Sequence, residues 1–344
     1  MSSHPPRKVE TVVIGAGLSG LTAARELQQD GREVVVLEKS RGLGGRCATR
    51  RWDGVRMDHG AQYFTAKSLE FARQVSQWLA HDVAQIWTHR LHSWQEGELF
   101  FDQERQARPH YVCRDGMHQL GKFIAKDLDI QLETKVRAVQ LAGDSWEVFV
   151  ENQERPWQAS RVIATAPMPQ MVDWFQEASG ELQETLHRIN KLIKMQPCLA
   201  LMLHCPGLNP EWAGIHVEDD TVRWIGHDSS KRPSESEGRF VVHASPEFSQ
   251  RWQDDDWKQA EGIMREKIAA ITDGLLAAPT ASQMHRWRYA RVAKAHLSGA
   301  VRAWQNPPLV LAGDGHHSGR VSGAWLSGLS AAEELSWPHE RIAM

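Results

Sequence analysis

Little in this chain would cross-link it, tether it to a bilayer or draw it to a polyanion. Its 344 residues hold four cysteines, Cys47, Cys113, Cys198 and Cys205, without a CxxC pair. So sparse a set is no disulfide framework and has no zinc spacing. It points to a reducing, cytoplasmic setting and to no metal site. No apolar run reaches the roughly 18 residues that a membrane helix needs. The balance of 40 Lys+Arg against 43 Asp+Glu leaves a net charge of −3. That lacks the basic excess on which nucleic-acid or membrane-surface binding draws. Arg7 and Lys8 precede an apolar run as in a secretory leader. The run is also the first strand of a glycine motif that cleavage would destroy, so no leader is expected. Tyrosine is scarce, three against fifteen tryptophans. Those indoles supply either core and surface aromatic area or the walls of a pocket for a flat substrate. What is present, 41% apolar and 24% charged residues, suits a globular chain of about two domains.

Val9–Ile14 is a β-branched run, and Leu18, Leu21, Ala24 and Leu27 follow at helical spacing until Gly31. Glu33–Leu37 reads as a second buried strand. This is a βαβ unit and implies an α/β domain with a parallel sheet. A loop is expected over Gly42–Arg56, a helix over Ser68–Leu79, and a hairpin within Ile86–Asp102 turning at Glu96-Gly97. Met117–Asp127 reads as a helix. Gln131–Gln140, Ser145–Glu151 and Arg161–Ala164 read as an antiparallel meander, and Met171–Asn190 as mostly helix. Strands return between Cys198 and Ser245, helices over Asp254–Ile271 and near Leu275, and a strand near "HRWRYARVA". The end repeats nucleotide-fold grammar: a strand Leu309–Ala312, glycines, and a helix from Ser322 to Leu335. A second domain therefore reads as an insertion into the first. The expected division gives residues 1–80, 111–170 and 290–344 to a nucleotide-binding domain, and 81–110 and 171–289 to a substrate domain.

Gly15-Ala16-Gly17-Leu18-Ser19-Gly20 is G-x-G-x-x-G between strand and helix. Gly15 permits the tight turn, Gly17 a close approach to pyrophosphate, and Gly20 close packing of helix on sheet. The helix N-terminus adds free N–H groups and partial positive charge. Glu38 closes the second strand, where an acidic side chain accepts from an adenosine ribose and opposes a 2′-phosphate. The hexapeptide alone serves NAD and FAD alike. Its continuation through Lys39 and Ser40 to Gly44-Gly45-Arg46 brings a second backbone segment and a guanidinium to the same pyrophosphate, which favours FAD. Arg50 and Arg51 either extend that positive charge or form a solvated basic loop.

The motif "EKSRGLGGR" with "DHGAQYF" (Asp58–Phe64) resembles the amine-oxidase superfamily of FAD flavoproteins, as does "LVLAGDGHHSGRVSGAWLSGLSAAEEL" (Leu309–Leu335). Within it, "GGRCATRR", "HGAQYFTA", "VVHASPEFS", "HRWRYA" and "GRVSGAWLSG" together resemble renalases of the bacterial type. The resemblance implies a fold like that of p-hydroxybenzoate hydroxylase: a Rossmann-like FAD domain with a parallel sheet, and an antiparallel-sheet substrate domain, α/β in class and α+β overall. It implies non-covalent FAD. On this carry-over Asp314, after Gly313, accepts from the ribityl or pyrophosphate region. Val321–Gly323 opens the final helix under the flavin pyrimidine edge, where a helix N-terminus steadies the negative charge of reduced flavin. Gln62 and Tyr63 would lie beside the isoalloxazine ring, and Val136 where backbone groups meet the adenine.

Renalases oxidise aberrant 2- or 6-dihydro isomers of NAD(P) to NAD(P)+ by hydride transfer to flavin N5, with O2 reduced to H2O2. The cofactor carries the hard chemistry, so no protein nucleophile is expected. Candidates for the substrate pocket are Tyr63, His243, His285, Trp287 and Arg288. The two histidines also fit satisfied core positions. His316 and His317, in the last flavin loop, are either donors near the flavin or an exposed loop. Two departures from amine-gripping relatives stand out: no cysteine follows Cys205, and Tyr289 is the only tyrosine after Tyr111. A paired-tyrosine cage for a cationic amine is therefore lacking. The alternatives are an amine oxidase or desaturase of the same superfamily and, less favoured, a redox-inactive flavin-fold binding protein.

Overall fold

The computed structural model describes residues 7–101, 103, 108–232 and 238–336. The expected domain ends at 1–6 and 337–344, and Asp102 at the end of the expected hairpin, lie outside the described residues. The described residues of Met1–Gly45, Gly121–Met195 and Val292–Met344 pack as one compact unit, and those of Arg46–Leu120 and Gln196–Arg291 as another.

In the first unit the β-branched run forms the strand Arg7–Ile14, parallel to Val34–Leu37 on one side and to Trp157–Ala164 on the other. Between the first two strands runs the opening helix Leu18–Gln29, ended by Gly31 at φ +77°. Trp157–Ala164 shares its far edge: the first half pairs antiparallel with Ser145–Val150, and the last three residues pair parallel with Leu309–Leu311. Val12, Ile14, Val35, Leu37, Val162 and Leu309 build the core. The expected strand Gln131–Gln140 is in fact two. Asp129–Gln131 joins Val34–Leu37, and Val136–Ala142 joins Ser145–Val150, with Glu133 between them at φ +52°.

The second unit is built on a seven-stranded sheet, in the order Ala281–Ala295, Ile193–His204, Arg239–Ala244, Val222–His227, Gly214–Val217, His92–Gln95, Glu98–Phe101. Strand alternation gives it two faces. Leu199, Leu201, Phe240, Val242 and Ala244 face the helices Pro246–Trp252 and Trp257–Ile271 through Phe248, Trp252, Met264 and Ile268. On the opposite face Met202 and Val241 pack against Trp52 and Met57. These belong to a hairpin of Thr49–Trp52 and Val55–Asp58, which replaces the expected loop. The expected turn at Glu96-Gly97 is present, with both residues at positive φ as a two-residue hairpin turn requires. Near Leu275, where a helix is expected, the chain forms only turns.

The compact units part from the expected boundaries at four places, the smallest being residues 290–291, which fall in the second unit. Residues 46–80 and 111–120 pack with the second unit, to which they give the hairpin and most of the strand His110–Cys113 that pairs with Ala84–Thr88. Residues 171–195 pack with the first, because Met171, Leu182, Leu186 and Ile189 share its core.

Candidate active site

The first unit gathers its glycine signatures where the parallel strands end. Ile14 lies opposite Leu37 and Ala164, and Ala164 opposite Leu311. Gly15, Glu38, Thr165 and the Gly313-Asp314 turn therefore leave the sheet at one edge, the carboxyl edge where open α/β sheets take their ligands. Gly15 has φ +106°, and a Cβ on Gly20 would stand 2.0 Å from the Gly15 carbonyl oxygen. Thr165, which sequence reading missed, donates from Oγ1 to Ile14 O at 2.9 Å and braces the turn. No side chain caps the opening helix at Gly17, and a Cβ there would meet nothing within 4 Å.

Glu38 is 7% exposed and accepts from Ala16 N and Ser40 N, each at 2.7 Å and each on a different oxygen. Both oxygens keep lone-pair capacity for ribose hydroxyls. Gly44 N donates to Ala16 O at 2.8 Å, and a Cβ on Gly45 would lie 3.2 Å from Gly17 Cα. The second glycine pair thus crosses the first turn. Gly121, also missed, lets its own helix back onto this crossing, since a Cβ there would lie 2.7 Å from Gly44 Cα. Thr134 N donates to Glu38 O at 2.8 Å, so the strand that Val136 opens begins beside Glu38.

At the far end of the chain Gly313 N donates to Ser327 Oγ at 2.9 Å, and Asp314 is 8% exposed. Val321 opens the closing helix Val321–Ser336. A Cβ on Gly328 would lie 2.4 Å from Ser19 O, so the closing and opening helices touch backbone to backbone. Leu18 and Ser19 are buried in this packing, whereas Lys39 is exposed and reaches Gln170. His316 is no exposed-loop residue: it is 1% exposed, and burial pushes its pKa down to about 4. The open space at Gly17, the half-used Glu38 carboxylate and the glycine crossing fit the pyrophosphate and ribose of a dinucleotide cofactor.

In the second unit, Asp58–Phe64 runs over the sheet face opposite the helices. On that face His243 lies opposite Trp224, and Trp224 opposite His216. The segment meets this row in order. His243 Nε2 donates to His59 O at 3.3 Å, Trp224 Nε1 to Gln62 Oε1 at 3.4 Å, and Tyr63 OH shares a 2.9 Å hydrogen bond with His216 Nε2. The Trp224 indole lies on the paired Gly214 and Gly226, where a Cβ would come within 2.3 and 2.7 Å of it. Tyr63 is also ringed by Trp87 and His110. The Gln62 amide is fully engaged: Nε2 donates to Asp58 O and Gly60 O, and Oε1 also accepts from Lys231 Nζ at 3.3 Å. Its backbone alone is left to meet a ligand.

Beneath Gln62 lies a buried ionic quartet. Lys231 Nζ is 2.8 Å from Asp228 and 3.4 Å from Asp58, and Arg232 contacts both carboxylates. Burial alone would raise the Asp58 pKa. Lys231, Arg232 and the hydrogen bonds from Thr49 and Met117 N overcome that and hold it well below the usual carboxylate range.

His59, which sequence reading did not single out, stacks on Trp287 with ring centroids 5.1 Å apart, and His285 stands edge-on to both at 4.7 Å. Trp287 Nε1 donates to His59 O at 3.0 Å. Burial, with the charges of His285 and Arg50 adding to it, pushes His59 down to about 3, and burial pushes His243 down to about 4. His285 is lowered for the same reason. Of the pocket candidates, the structure brings His243, His285 and Trp287 together around His59 and sets Tyr63 further along the same segment. Arg288 lies apart, exposed on the other face of its strand and paired with Asp254 at 3.1 Å.

The flavin containing amine oxidoreductase family matches residues 94–336, and an NAD(P)-binding Rossmann-like domain matches 13–80. The chain belongs to the flavin containing amine oxidoreductase family. Its cofactor is FAD. A Mycobacterium tuberculosis protein described as a flavin-containing monoamine oxidase is 48% identical over 61 residues, 18% of this chain and 13% of that one. Pseudooxynicotine dehydrogenase of a Pseudomonas species is 34% identical over 83 residues, 24% of this chain and 14% of its own. These matches thus span only a small part of the curated relatives. Among solved structures, cyclohexylamine oxidase from Brevibacterium oxydans superposes with a TM-score of 0.73 at 13% identity, covering 96% of this chain and 100% of that one. At such identity the likeness is one of fold. No helix among the described residues is long and apolar enough to cross a membrane.

Proposed function

We propose that this flavoenzyme is a cytoplasmic oxidase of 2- or 6-dihydro isomers of NAD(P), returning them to NAD(P)+ while O2 becomes H2O2. The carrying observation is the electrostatics of the histidine–indole group. Burial lowers the pKa of His59, His243 and His285, and His59 and His285 pack against Trp287, a setting suited to a flat neutral dihydropyridine and poor for an ammonium ion. The first unit serves as the FAD unit, holding the cofactor without a covalent bond, and the second carries the substrate-pocket candidates.

FAD, when bound, would supply a hydride acceptor and a route for the electron pair to oxygen. Gly15–Gly20, Gly44 and Gly45 would hold the pyrophosphate, to which the motif also assigns Arg46, and Glu38 would hold the ribose. Val136 serves the adenine, while Asp314 and the helix start at Val321 serve the flavin end. The "DHGAQYF" motif assigns Tyr63 and the backbone at Gln62 to the flavin ring. His243 Nε2–H is committed to His59 O, so its neutral Nδ1 is left as an acceptor, matched to a carboxamide N–H. Hydride loss from a dihydropyridine needs no protein base. The balance is one dihydronicotinamide, one O2 and one proton giving one NAD(P)+ and one H2O2.

In air, each isomer supplied to the purified enzyme should yield NAD(P)+ and H2O2 in equal amounts. Absence of turnover with both isomers, together with rapid turnover of a primary amine or polyamine, would establish instead the amine-oxidase reading that the family name favours.

A further inference from the structure

Arg50 stands on the strand Thr49–Trp52, half-buried, and its NH1 donates to Gln283 Oε1 at 3.4 Å. Among the described residues no carboxylate pairs with it. Gln283, His285 and Trp287 alternate along one face of Ala281–Ala295, and all three are partly accessible. At about 3.3 Å per residue the step from Gln283 to Trp287 covers roughly 13 Å. The other face carries Arg286 and Arg288, both committed to Asp254. The first face is therefore a strip with a guanidinium that has no carboxylate partner at one end, an imidazole in the middle and an indole at the other. The indole end adjoins the flavin motif: a Cβ on Gly60 would lie 3.3 Å from Trp287 and 2.1 Å from Arg46 O.

We propose that Arg50 is the anion anchor of this strip, binding a phosphate of a nucleotide substrate whose flat ring lies at the His285–Trp287 end. The inference deepens the dihydronicotinamide reading and rests on it for the identity of the ring. A guanidinium offers phosphate two parallel N–H donors, a geometry that an amide or ammonium does not reproduce. The strip's length matches a base, sugar and phosphate in line. Its only charge is positive, so the same strip disfavours a polyamine.

The test compares wild-type holoenzyme with Arg50→Gln and Arg50→Lys. For the 6-dihydro isomer of NAD, Arg50→Gln should raise KM about tenfold or more with kcat nearly unchanged, and Arg50→Lys should recover part of the loss. For the phosphate-free dihydronicotinamide riboside, KM should not change. Calorimetric titration with inorganic pyrophosphate judges the anion site without turnover: the wild type should bind it, and Arg50→Gln about tenfold more weakly. Equal pyrophosphate binding by both proteins, or none, overturns the proposal. So does an equal KM increase for riboside and dinucleotide, or a loss of FAD affinity in Arg50→Gln, which would assign Arg50 to the cofactor. If pyrophosphate binds as expected but neither dihydronicotinamide is oxidised, the anion site stands and the functional reading fails.

Discussion

Lys231 has no exposed surface, and its ammonium lies 5.4 Å over the Trp87 ring between two carboxylates. Taking away one member of such a quartet leaves an uncompensated charge out of water, at a cost of about 3–5 kcal/mol. Lys231→Met should lower the unfolding free energy by that amount in denaturant titration, and it should also release Gln62 and Trp224. A change below about 1 kcal/mol would mean that the quartet holds nothing in place. Glu38 gives a different expectation, since one of its oxygens braces the glycine turn while both can meet ribose. Glu38→Ala should weaken FAD binding at least tenfold in equilibrium dialysis, from the loss of charge-assisted hydrogen bonds; unchanged affinity would remove Glu38 from the site. The two residues also differ in how legible they are. Glu38 is found by counting from Gly15, because the βαβ unit fixes the distance. Lys231 lies in "SSKRP" and reads as a loop cation beside Asp228, because its other partner Asp58 is 173 residues away and no local pattern announces the quartet.

Among the elements, the strands Gly214–Val217 and Val222–His227 make a floor of paired glycines for the Trp224 indole. A methyl group at Gly226 would force the indole away from Gln62. Gly226→Ala should therefore cost about 1–3 kcal/mol, as overpacking does, and change the near-ultraviolet circular dichroism of the aromatic cluster. An unchanged spectrum with unchanged stability would contradict the described packing. Elements whose local signal agreed with their surroundings were readable in advance: the hairpin turn at Glu96-Gly97, the helix Leu69–Ala80 after its Ser68 cap, and the closing strand and helix. Those shaped by distant contacts were not. The expected helix over Met117–Asp127 shrinks to Gln119–Ile124, where Gly121 must lie against Gly44. The segment Gln131–Gln140 divides because its first part follows Val34–Leu37 and its second follows Ser145–Val150. The row His216–Trp224–His243 comes from cross-strand register, which a single sequence does not display.

For the molecule as a whole, the buried neutral histidines set the response to acid. His59 titrates at about 3 and His316 at about 4 in the folded chain, against 6.5 in an unfolded one. These are bases with depressed pKa values, so their contribution is complete above pH 6.5 and is lost as pH falls through the window from 6.5 to about 3–4. Each costs about 1.4 kcal/mol per pH unit within that window. The unfolding midpoint should therefore drop from pH 6.5 towards 4, and less steeply in His59→Gln; a flat profile would place these histidines in water. The charge state of the same group underlies the substrate reading, which one measurement tests most directly. Under anaerobic conditions, one equivalent of 6-dihydro- or 2-dihydro-NAD should bleach the visible flavin band within a single turnover and release one equivalent of NAD+. A band left unchanged by both isomers, yet bleached by a primary amine, would contradict it.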